Sequence, residues 1–375
     1  MSQLSAIVIG AGIVGLATAR ALSLKGYNVT VIERSEKAVG ASIRNFGMVW
    51  PIGQPDGKLY DRAIRSKNSW KEIADSIGLW YDEVGSLHVA HQPDEWQVLQ
   101  ELHEKFTQSG RPVSLLQPVE IANKFTGVNT QNLLGGLFSN TEMIVDPREA
   151  IASIPSYLSE YLEIKFIWGR QVNAVETGKV FLGNEMLEAD LVFICSGADF
   201  ETLYPEQFAT LGLVKCKLQM MRFEPPAARW QIGTAVCAGL SLIHYNSFKV
   251  SPSLPALKKR YEAEMSEYLR WGIHVMVSQN DKGELTVGDS HEYGHTFDPF
   301  DNAHINRLIT DYLGKFMQIK DWKLIQSWNG TYPKMLNGET DVILEPAPGI
   351  FILNGLGGAG MTLSFGFAEE VVSAL

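Results

Sequence analysis

The residues with the clearest chemical potential in this 375-residue chain form the segment Gly10-Ala11-Gly12-Ile13-Val14-Gly15. An apolar run over residues 6–9 precedes it, and small and apolar residues on one face predict a helix over residues 13–25. Gly10 allows a sharp turn, Gly12 lets the backbone approach a pyrophosphate, and Gly15 lets the helix lie close to the strand. Because helix N-termini attract anions, this segment predicts a dinucleotide site that includes Ile13 and Val14.

A second apolar run, residues 29–32, ends at Glu33, about 20 residues beyond the glycines. A carboxylate at this point can accept hydrogen bonds from a ribose hydroxyl and repels a 2′-phosphate, which disfavours NADP. We assign the neighbouring Arg34 to the same site. The order strand, turn, helix, strand and acid favours a bound dinucleotide over a glycine-rich turn without a ligand, and it leaves NAD and FAD open.

The composition excludes several classes of partner. With 45% hydrophobic residues and a net charge of −10, the chain lacks the basic footprint that nucleic acids and anionic membranes require. No apolar run reaches about 18 residues, and the N-terminus does not resemble a secretory signal, so we expect no membrane span. The three cysteines have no paired spacing, which predicts buried reduced thiols in a cytoplasmic protein, and no metal-ligand spacing is evident.

Further along the chain, the apolar patterns predict an α/β fold, α+β overall, with two domains. A Rossmann-like domain is expected from residues 1–80, 141–212 and 335–375. A substrate domain built on a mixed or antiparallel sheet is expected from residues 81–140 and 213–334. Residues 58–77 are a predicted helix that ends at Gly78, Asp146 is a predicted N-cap, and residues 240–248 are a predicted strand.

Two more glycine-rich turns follow buried apolar runs. Residues 191–195 lead into Ser196-Gly197-Ala198, and residues 350–353 lead into a glycine-rich loop over residues 354–360, before a helix from Thr362 to the end. A small-residue turn at the end of a parallel strand lets a ligand approach the backbone. The C-terminal third therefore repeats the pattern of strand, glycine loop and helix N-terminus.

Four patches, residues 10–33, 40–47, 193–198 and 355–364, resemble the family of FAD-dependent amine oxidoreductases that includes D-amino acid oxidase, glycine oxidase and monomeric sarcosine oxidase. The resemblance spans the chain and implies non-covalently bound FAD. By this analogy the segment with Ser42, Arg44, Asn45 and Gly47 lies along the pyrophosphate and flavin, and the backbone of Val172 meets the adenine. The other cofactor residues that we assign are Ser196, Gly197, Gly330, Gly357, Gly358, Ala359, Gly360, Met361 and Thr362.

The resemblance also implies a reaction. Such enzymes take a hydride equivalent from a carbon next to nitrogen, and the resulting imine hydrolyses to an aldehyde or ketone while electrons pass onward, often to O2. Two alternatives remain: oxidation of a hydroxyl carbon, as in 2-hydroxyglutarate and glycerol-phosphate relatives, and an electron-transfer flavoprotein without a small-molecule substrate.

One departure from the family bears on the substrate. Many relatives carry an arginine that holds a substrate carboxylate, but Trp328-Asn329-Gly330-Thr331-Tyr332-Pro333 places Tyr332 at that position. Residues 44–55 and 288–293 resemble a narrower bacterial subgroup associated with aminophosphonate breakdown. The resemblance therefore implies a small anionic amine, such as 2-aminoethylphosphonate or its N-methyl form. Candidate contacts are Arg44, Lys334, Tyr332, His291, His244 and Tyr245; in a strand, at most one of the last two can face the pocket.

Overall fold

The computed structural model describes residues 3–225, 227, 230–320 and 322–375. The helices are α1 (Ile13–Leu24), α2 (Lys58–Ile77), α3 (Pro93–Gln108), α4 (Pro118–Lys124), α5 (Pro147–Leu162), α6 (Pro205–Thr210), α7 (Gly239–Leu242), α8 (Leu254–Glu264), α9 (Ser266–Arg270), α10 (Ala303–Phe316) and α11 (Gly360–Ser373).

The strands are β1 (Ser5–Ile9), β2 (Asn28–Glu33), β3 (Met48–Val49), β4 (Tyr81–Asp82), β5 (Ser86–Ala90), β6 (Val113–Leu116), β7 (Gly135–Ser139), β8 (Met143–Val145), β9 (Lys165–Trp168), β10 (Ala174–Glu176), β11 (Lys179–Leu182), β12 (Glu185–Glu188), β13 (Leu191–Ile194), β14 (Leu213–Glu224), β15 (Ala235–Cys237), β16 (Met276–Gln279), β17 (Leu285–Gly288), β18 (Glu292–Gly294), β19 (Lys323–Met335), β20 (Val342–Ala347) and β21 (Ile350–Asn354).

A six-stranded sheet has the order β20-β21-β13-β1-β2-β9. Its strands from β21 to β9 run parallel, and β20 is an antiparallel edge strand. The central strands are nearly continuous apolar runs because layers cover both faces of a parallel sheet. Helices α1, α2, α5 and α11 pack together on one side, and the small sheet of β10, β11 and β12 contributes apolar residues to the other side. The predicted Rossmann-like α/β architecture is confirmed.

A second, nine-stranded sheet follows the order β18-β14-β17-β16-β15-β5-β7-β6, with β19 also paired to β14. It is mixed, since β5 and β15 are parallel while the other pairs are antiparallel. Helices α3, α8 and α10 contribute apolar residues to the core on this sheet. Its strands come from residues 86–139 and 213–335, and those of the first sheet come from residues 5–33, 165–194 and 342–354. The domain boundaries at 80, 140, 212 and 334 stay predictions.

Two helix boundaries predicted from capping residues are correct. Helix α2 ends at Gly78, whose φ of 66° is left-handed, and α5 begins after Asp146, whose carboxylate accepts hydrogen bonds from the amides of Arg148 and Glu149. The predicted strand over residues 240–248 is wrong. That segment forms α7 and a 3-10 helix, Asn246–Val250, because its apolar residues are buried on several sides rather than on alternating faces.

His88 is a histidine of the second sheet that has no contact with solvent. It lies on β5, fully buried, with its ring 5.2 Å from the Phe248 ring and 5.8 Å from the Trp50 ring, measured between centroids. Neither ring nitrogen has a hydrogen-bond partner among the described residues. Burial disfavours the charged imidazolium and lowers the pKa of His88 to about 3.

The burial of His88 predicts that the free energy of unfolding falls at acid pH, and that replacing His88 removes this contribution. As pH falls below the ordinary histidine pKa of about 6.5, His88 binds a proton only in the unfolded chain, so the free energy of unfolding falls. In His88→Leu we expect this pH dependence to shrink by about 1.4 kcal/mol per pH unit between about pH 6 and pH 4. Urea unfolding at several pH values measures it, with the half-exposed His103→Leu as control. An unchanged slope would show that His88 is not held neutral.

Candidate active site

A cavity of about 1320 Å³ opens at the carboxyl ends of β1, β2 and β13 and extends to β14 and β19 of the second sheet. Ligands commonly bind at this edge of a doubly wound sheet. The walls include Gly10, Glu33 and Val172 from the first sheet and its loops, and Tyr332 and His291 from the second. One cavity thus contacts both the dinucleotide motif and the residues predicted to meet a substrate.

The first glycine turn has the close packing that its spacing predicts. Gly10 has a φ of +105°, and a Cβ at Gly15 would lie 1.8 Å from the carbonyl oxygen of Gly10. Helix α1 begins after Gly12 without a side-chain cap from that residue, and the Ile13 amide donates to Ser42 Oγ at 2.9 Å. The helix N-terminus therefore faces the cavity with backbone amides and small residues.

Glu33 lines the cavity and also holds the turn in shape. One carboxylate oxygen accepts a hydrogen bond from the Ala11 amide at 2.9 Å, and the other accepts from the Ser35 amide at 3.0 Å. Each carboxylate oxygen keeps further acceptor capacity, which a ribose hydroxyl can use. Arg34 also lines the cavity, where it forms an ion pair with Asp199 at 2.6 Å.

The loop over residues 40–47 is fixed by Asn45. Its amide nitrogen donates to the carbonyls of Ala41 and Ser42, and its amide oxygen accepts from the Gly47 amide. Gly47 does not line the cavity; a Cβ there would lie 1.9 Å from the carbonyl oxygen of Val145. Gly15 is also absent from the cavity wall. Gly15 and Gly47 therefore allow close packing of the backbone and do not line the cavity, although both were predicted to contact the cofactor.

The third glycine turn lies where β21 leads into α11. Gly357 has a φ of +59°, and Lys334 forms an isolated antiparallel bridge with Leu356 beside it. A Cβ at Gly358 would lie 3.5 Å from the hydroxyl of Tyr332, so β19 and this loop share a wall. Thr362 is buried, and its hydroxyl accepts a hydrogen bond from the Trp50 amide at 2.9 Å.

The other predicted cofactor residues line the same cavity: Val14, Val172, Ser196, Gly197, Gly330, Ala359, Gly360 and Met361. Two helix N-termini whose own N-cap residues make no side-chain capping bond, at α1 and α11, fit a long dinucleotide with a central pyrophosphate when combined with the acid at the end of β2. The residues present therefore fit FAD.

Two cations lie beside the loop and β19. The Arg44 guanidinium donates to the carbonyl of Asn329 at 3.1 Å. Arg44 also packs closely on Gly330, where an added Cβ would lie 3.2 Å from the Cβ of Arg44. Lys334 is partly buried, and desolvation lowers the pKa of its ammonium. Within the described part of the chain, neither cation has an ion-pair partner.

Three histidines converge next to Lys334. The ring centroids of His244 and His274 are 3.7 Å apart, and both rings lie within 5.0 Å of the His291 ring. Burial lowers the pKa of His291 to about 4 and that of His274 well below its ordinary value. Asp289 sits beside them, and burial raises the pKa of its carboxyl well above the usual range.

His274 and Asp289 were not among the predicted site residues. They face each other across two antiparallel segments, since the amide of each donates to the carbonyl of the other. The pairing of β16 with β17 brings His274 and Asp289 opposite each other. The sequence alone does not fix the register of that pairing, so it did not reveal this contact. His244 and Tyr245 both line the cavity, because their segment is not a strand; the expectation that at most one would do so is wrong.

Residues 5–374 match the model of the DAO family, described as FAD dependent oxidoreductase. The chain belongs to this family. The predicted FAD cofactor and oxidoreductase class are thereby confirmed.

A glycerol 3-phosphate dehydrogenase of Caloramator mitchellensis is 28% identical over 191 residues, which cover 49% of this chain and 36% of that protein. The chain thus spans about a third of the length of the curated relatives it matches. L-proline dehydrogenase from P. horikoshii has a TM-score of 0.80 at 20% identity, covering 99% of this chain and 93% of that one. Glycine oxidase from Geobacillus kaustophilus has a TM-score of 0.79 at 18% identity, covering 100% and 95%. These two likenesses show the shared fold.

Two further expectations concern the chain as a whole. Cys195, Cys216 and Cys237 are free and buried, as predicted, and burial raises the pKa of Cys195 and of Cys216 to about 12. Among the described residues, the helices are all too short or too polar to cross a membrane.

Proposed function

We propose that this protein catalyses the FAD-dependent oxidation of a C–N bond in a small anionic amine, with 2-aminoethylphosphonate or its N-methyl form as the preferred substrate. The observation that carries the proposal is the pair Arg44 and Lys334. Both line the cavity, and neither has an acidic partner among the described residues. The other Arg and Lys side chains of the cavity wall are engaged: Arg34 by Asp199, Arg170 by Glu185 and Lys215 by Glu201, while Lys217 donates to the backbone carbonyls of Asp298 and Phe300.

The absence of a bidentate arginine at position 332 favours a tetrahedral anion over a planar carboxylate. Tyr332 has one hydroxyl, which cannot reproduce the planar fork of a guanidinium. A phosphonate presents three oxygens in a tetrahedral arrangement, so separate point donors such as Lys334, Arg44 and the Tyr332 hydroxyl suit it. A family relative acts on glycerol 3-phosphate, which also carries a tetrahedral phosphorus anion.

The same residues prepare the amine. FAD bound in this cavity would supply the acceptor for the hydride equivalent that leaves the carbon next to nitrogen. The nitrogen lone pair assists only in the neutral amine, and the positive charges of Arg44 and Lys334 oppose the charged ammonium form of a nearby substrate. Tyr332 is buried, and burial raises the pKa of its phenol well above the usual range, so it stays a hydrogen-bond donor. This arrangement holds the anion while it favours the reactive form of the nitrogen.

A second candidate keeps the anion site and changes the oxidised bond. The match to a glycerol 3-phosphate dehydrogenase favours oxidation of a hydroxyl carbon in a phosphorylated or carboxylated substrate. The third alternative, an electron-transfer flavoprotein without a small-molecule substrate, is disfavoured by the large cavity beside the glycine loop of α11.

A matched pair of substrates decides between the first two. 2-Aminoethylphosphonate and 2-hydroxyethylphosphonate differ only in the group that is oxidised. In anaerobic mixing with the purified yellow enzyme, we expect the amine to bleach the flavin absorbance and the alcohol to leave it unchanged. Glycerol 3-phosphate and 2-hydroxyglutarate extend the panel. Bleaching by hydroxy compounds alone would overturn the proposed C–N oxidation.

A further inference from the structure

The three histidines near β16 and β17 come from separate parts of the chain and meet at one point. His244 follows α7, His274 precedes β16, and His291 follows β17. Each offers one nitrogen such that the three atoms lie within 4.8 Å of one another. Nitrogens bound to one tetrahedral zinc ion are about 3.3 Å apart, since each Zn–N bond is about 2.0–2.1 Å. Small side-chain rotations therefore bring the three imidazoles to ligand distance.

His291 already has the hydrogen bond that a ligand histidine needs. Its Nδ1 lies 2.8 Å from the carbonyl oxygen of Gly272, and a carbonyl can only accept, so Nδ1 carries the proton. The lone pair is then on Nε2. A backbone carbonyl that fixes the ring tautomer in this way is typical of metal-binding histidines.

His274 shows the complementary arrangement with a carboxylate. Its Nε2 lies 3.2 Å from Asp289 Oδ1. His274 is 3% exposed, and its Nδ1 is buried without a hydrogen-bond partner among the described residues. Asp289 Oδ1 is likewise buried and without a well-aligned hydrogen bond. Buried polar atoms are normally satisfied, so these two call for a ligand that completes their bonding.

We propose that His244, His274 and His291 bind a divalent transition-metal ion of the zinc type, with Asp289 as the carboxylate that positions His274. This site goes beyond the proposed amine oxidation, and it assigns His244 and His291 to a metal ion in place of the substrate contacts that the sequence led us to expect. His244 is accessible from the cavity, so an ion can enter, and a fourth ligand position can face the cavity. Imidazole nitrogens suit Zn²⁺, Cu²⁺, Ni²⁺ and Co²⁺, whereas Mg²⁺ and Ca²⁺ prefer oxygen ligands.

An oxyanion is the other ligand that three imidazoles could take, and Asp289 argues against it. Asp289 lies 3.2 Å from His274 and 3.8 Å from His291; a bound cation would stabilise its charged carboxylate form, whereas a bound phosphate would oppose that form. Lys334 is a cationic neighbour of His244 and His291, and its repulsion of a metal ion opposes the attraction by Asp289. The anion site proposed at Arg44 and Lys334 and the metal site at the histidines line one cavity and adjoin at Lys334.

The test uses the FAD-loaded enzyme, stripped of metal by a chelator, and titrates it with Zn²⁺ or Co²⁺ alone. We expect one ion per chain by elemental analysis after gel filtration. We also expect Co²⁺ absorption bands at wavelengths longer than those of oxidised flavin. In His244→Ala, whose side chain faces the cavity, the affinity should fall at least about 100-fold, and in Asp289→Asn about 10- to 100-fold. His295→Ala is the matched control, since His295 lines the cavity outside the cluster and its loss should leave the affinity unchanged.

Three outcomes would overturn the metal site: no saturable binding of either ion, an affinity that His244→Ala leaves unchanged, or inorganic phosphate binding to the metal-free enzyme that His244→Ala abolishes. The last would assign the cluster to an anion. The measurement needs no substrate, so a failure here leaves the oxidation proposal standing, and a failure of that proposal leaves the metal result interpretable.

Discussion

Gly15→Ala is expected to yield protein with little or no bound FAD. The new Cβ would lie 1.8 Å from the carbonyl oxygen of Gly10, and backbone atoms cannot move aside without displacing α1 from the turn. Overpacking of this kind costs roughly 1–3 kcal/mol or more, and the displaced helix N-terminus would no longer face the pyrophosphate. We expect FAD affinity to fall about 100-fold, which corresponds to about 2.7 kcal/mol. The flavin-to-protein absorbance ratio after gel filtration measures the loss.

Gly314→Ala provides the control for an added methyl group. Gly314 lies inside α10, and its Cβ would make an ordinary contact of 3.5 Å with Ile319. Alanine is favoured over glycine in a helix interior, so this variant should fold at least as well as the parent and keep its full complement of FAD. Normal FAD affinity in Gly15→Ala would contradict the placement of the pyrophosphate at α1.

Arg44→Ala is expected to raise KM for 2-aminoethylphosphonate by about 10- to 100-fold, because a charge-assisted hydrogen bond contributes about 1.5–3 kcal/mol. The guanidinium lines the cavity and has no acidic partner among the described residues, so its charge is available to the substrate. Steady-state kinetics measure KM, and circular dichroism and FAD content confirm that the variant is folded and loaded.

Two comparisons make the Arg44 result specific. Arg44→Lys keeps the charge and loses the planar fork, so it should retain most of the affinity for a tetrahedral phosphonate. Propylamine has an amine and no anion, and its KM should be insensitive to Arg44→Ala. An equal rise in KM for both amines, or no change for the phosphonate, would remove Arg44 from the proposed anion site.

The nucleotide-binding half of the fold could be predicted from local sequence patterns. Buried strands, glycine turns and helix ends follow one another within residues 5–33 and 350–373, and each depends on its neighbours in the chain. Gly10, Gly12, Glu33 and the loop over residues 357–360 were accordingly placed at the cavity. Gly15 and Gly47 carry the same sequence signal but act by close backbone packing, a distinction that only the tertiary contacts reveal.

The substrate half depends on contacts between distant segments. His244, His274 and His291 have no common spacing, and they meet because β16 and β17 pair while α7 leads a third segment to the same place. The predicted strand over residues 240–248 failed because an apolar run does not distinguish a buried helical turn from a buried strand. The burial of His88 likewise results from the packing of Trp50 and Phe248, far apart in sequence.

The central claim is that the bond oxidised is C–N. The most direct measurement is the amount of ammonium released in a single anaerobic turnover with 2-aminoethylphosphonate, compared with the amount of flavin reduced. Oxidation of the amine to an imine and its hydrolysis predict one ammonium and one aldehyde for each flavin reduced. Flavin reduction without release of ammonium, or reduction by 2-hydroxyethylphosphonate and not by the amine, would contradict the claim.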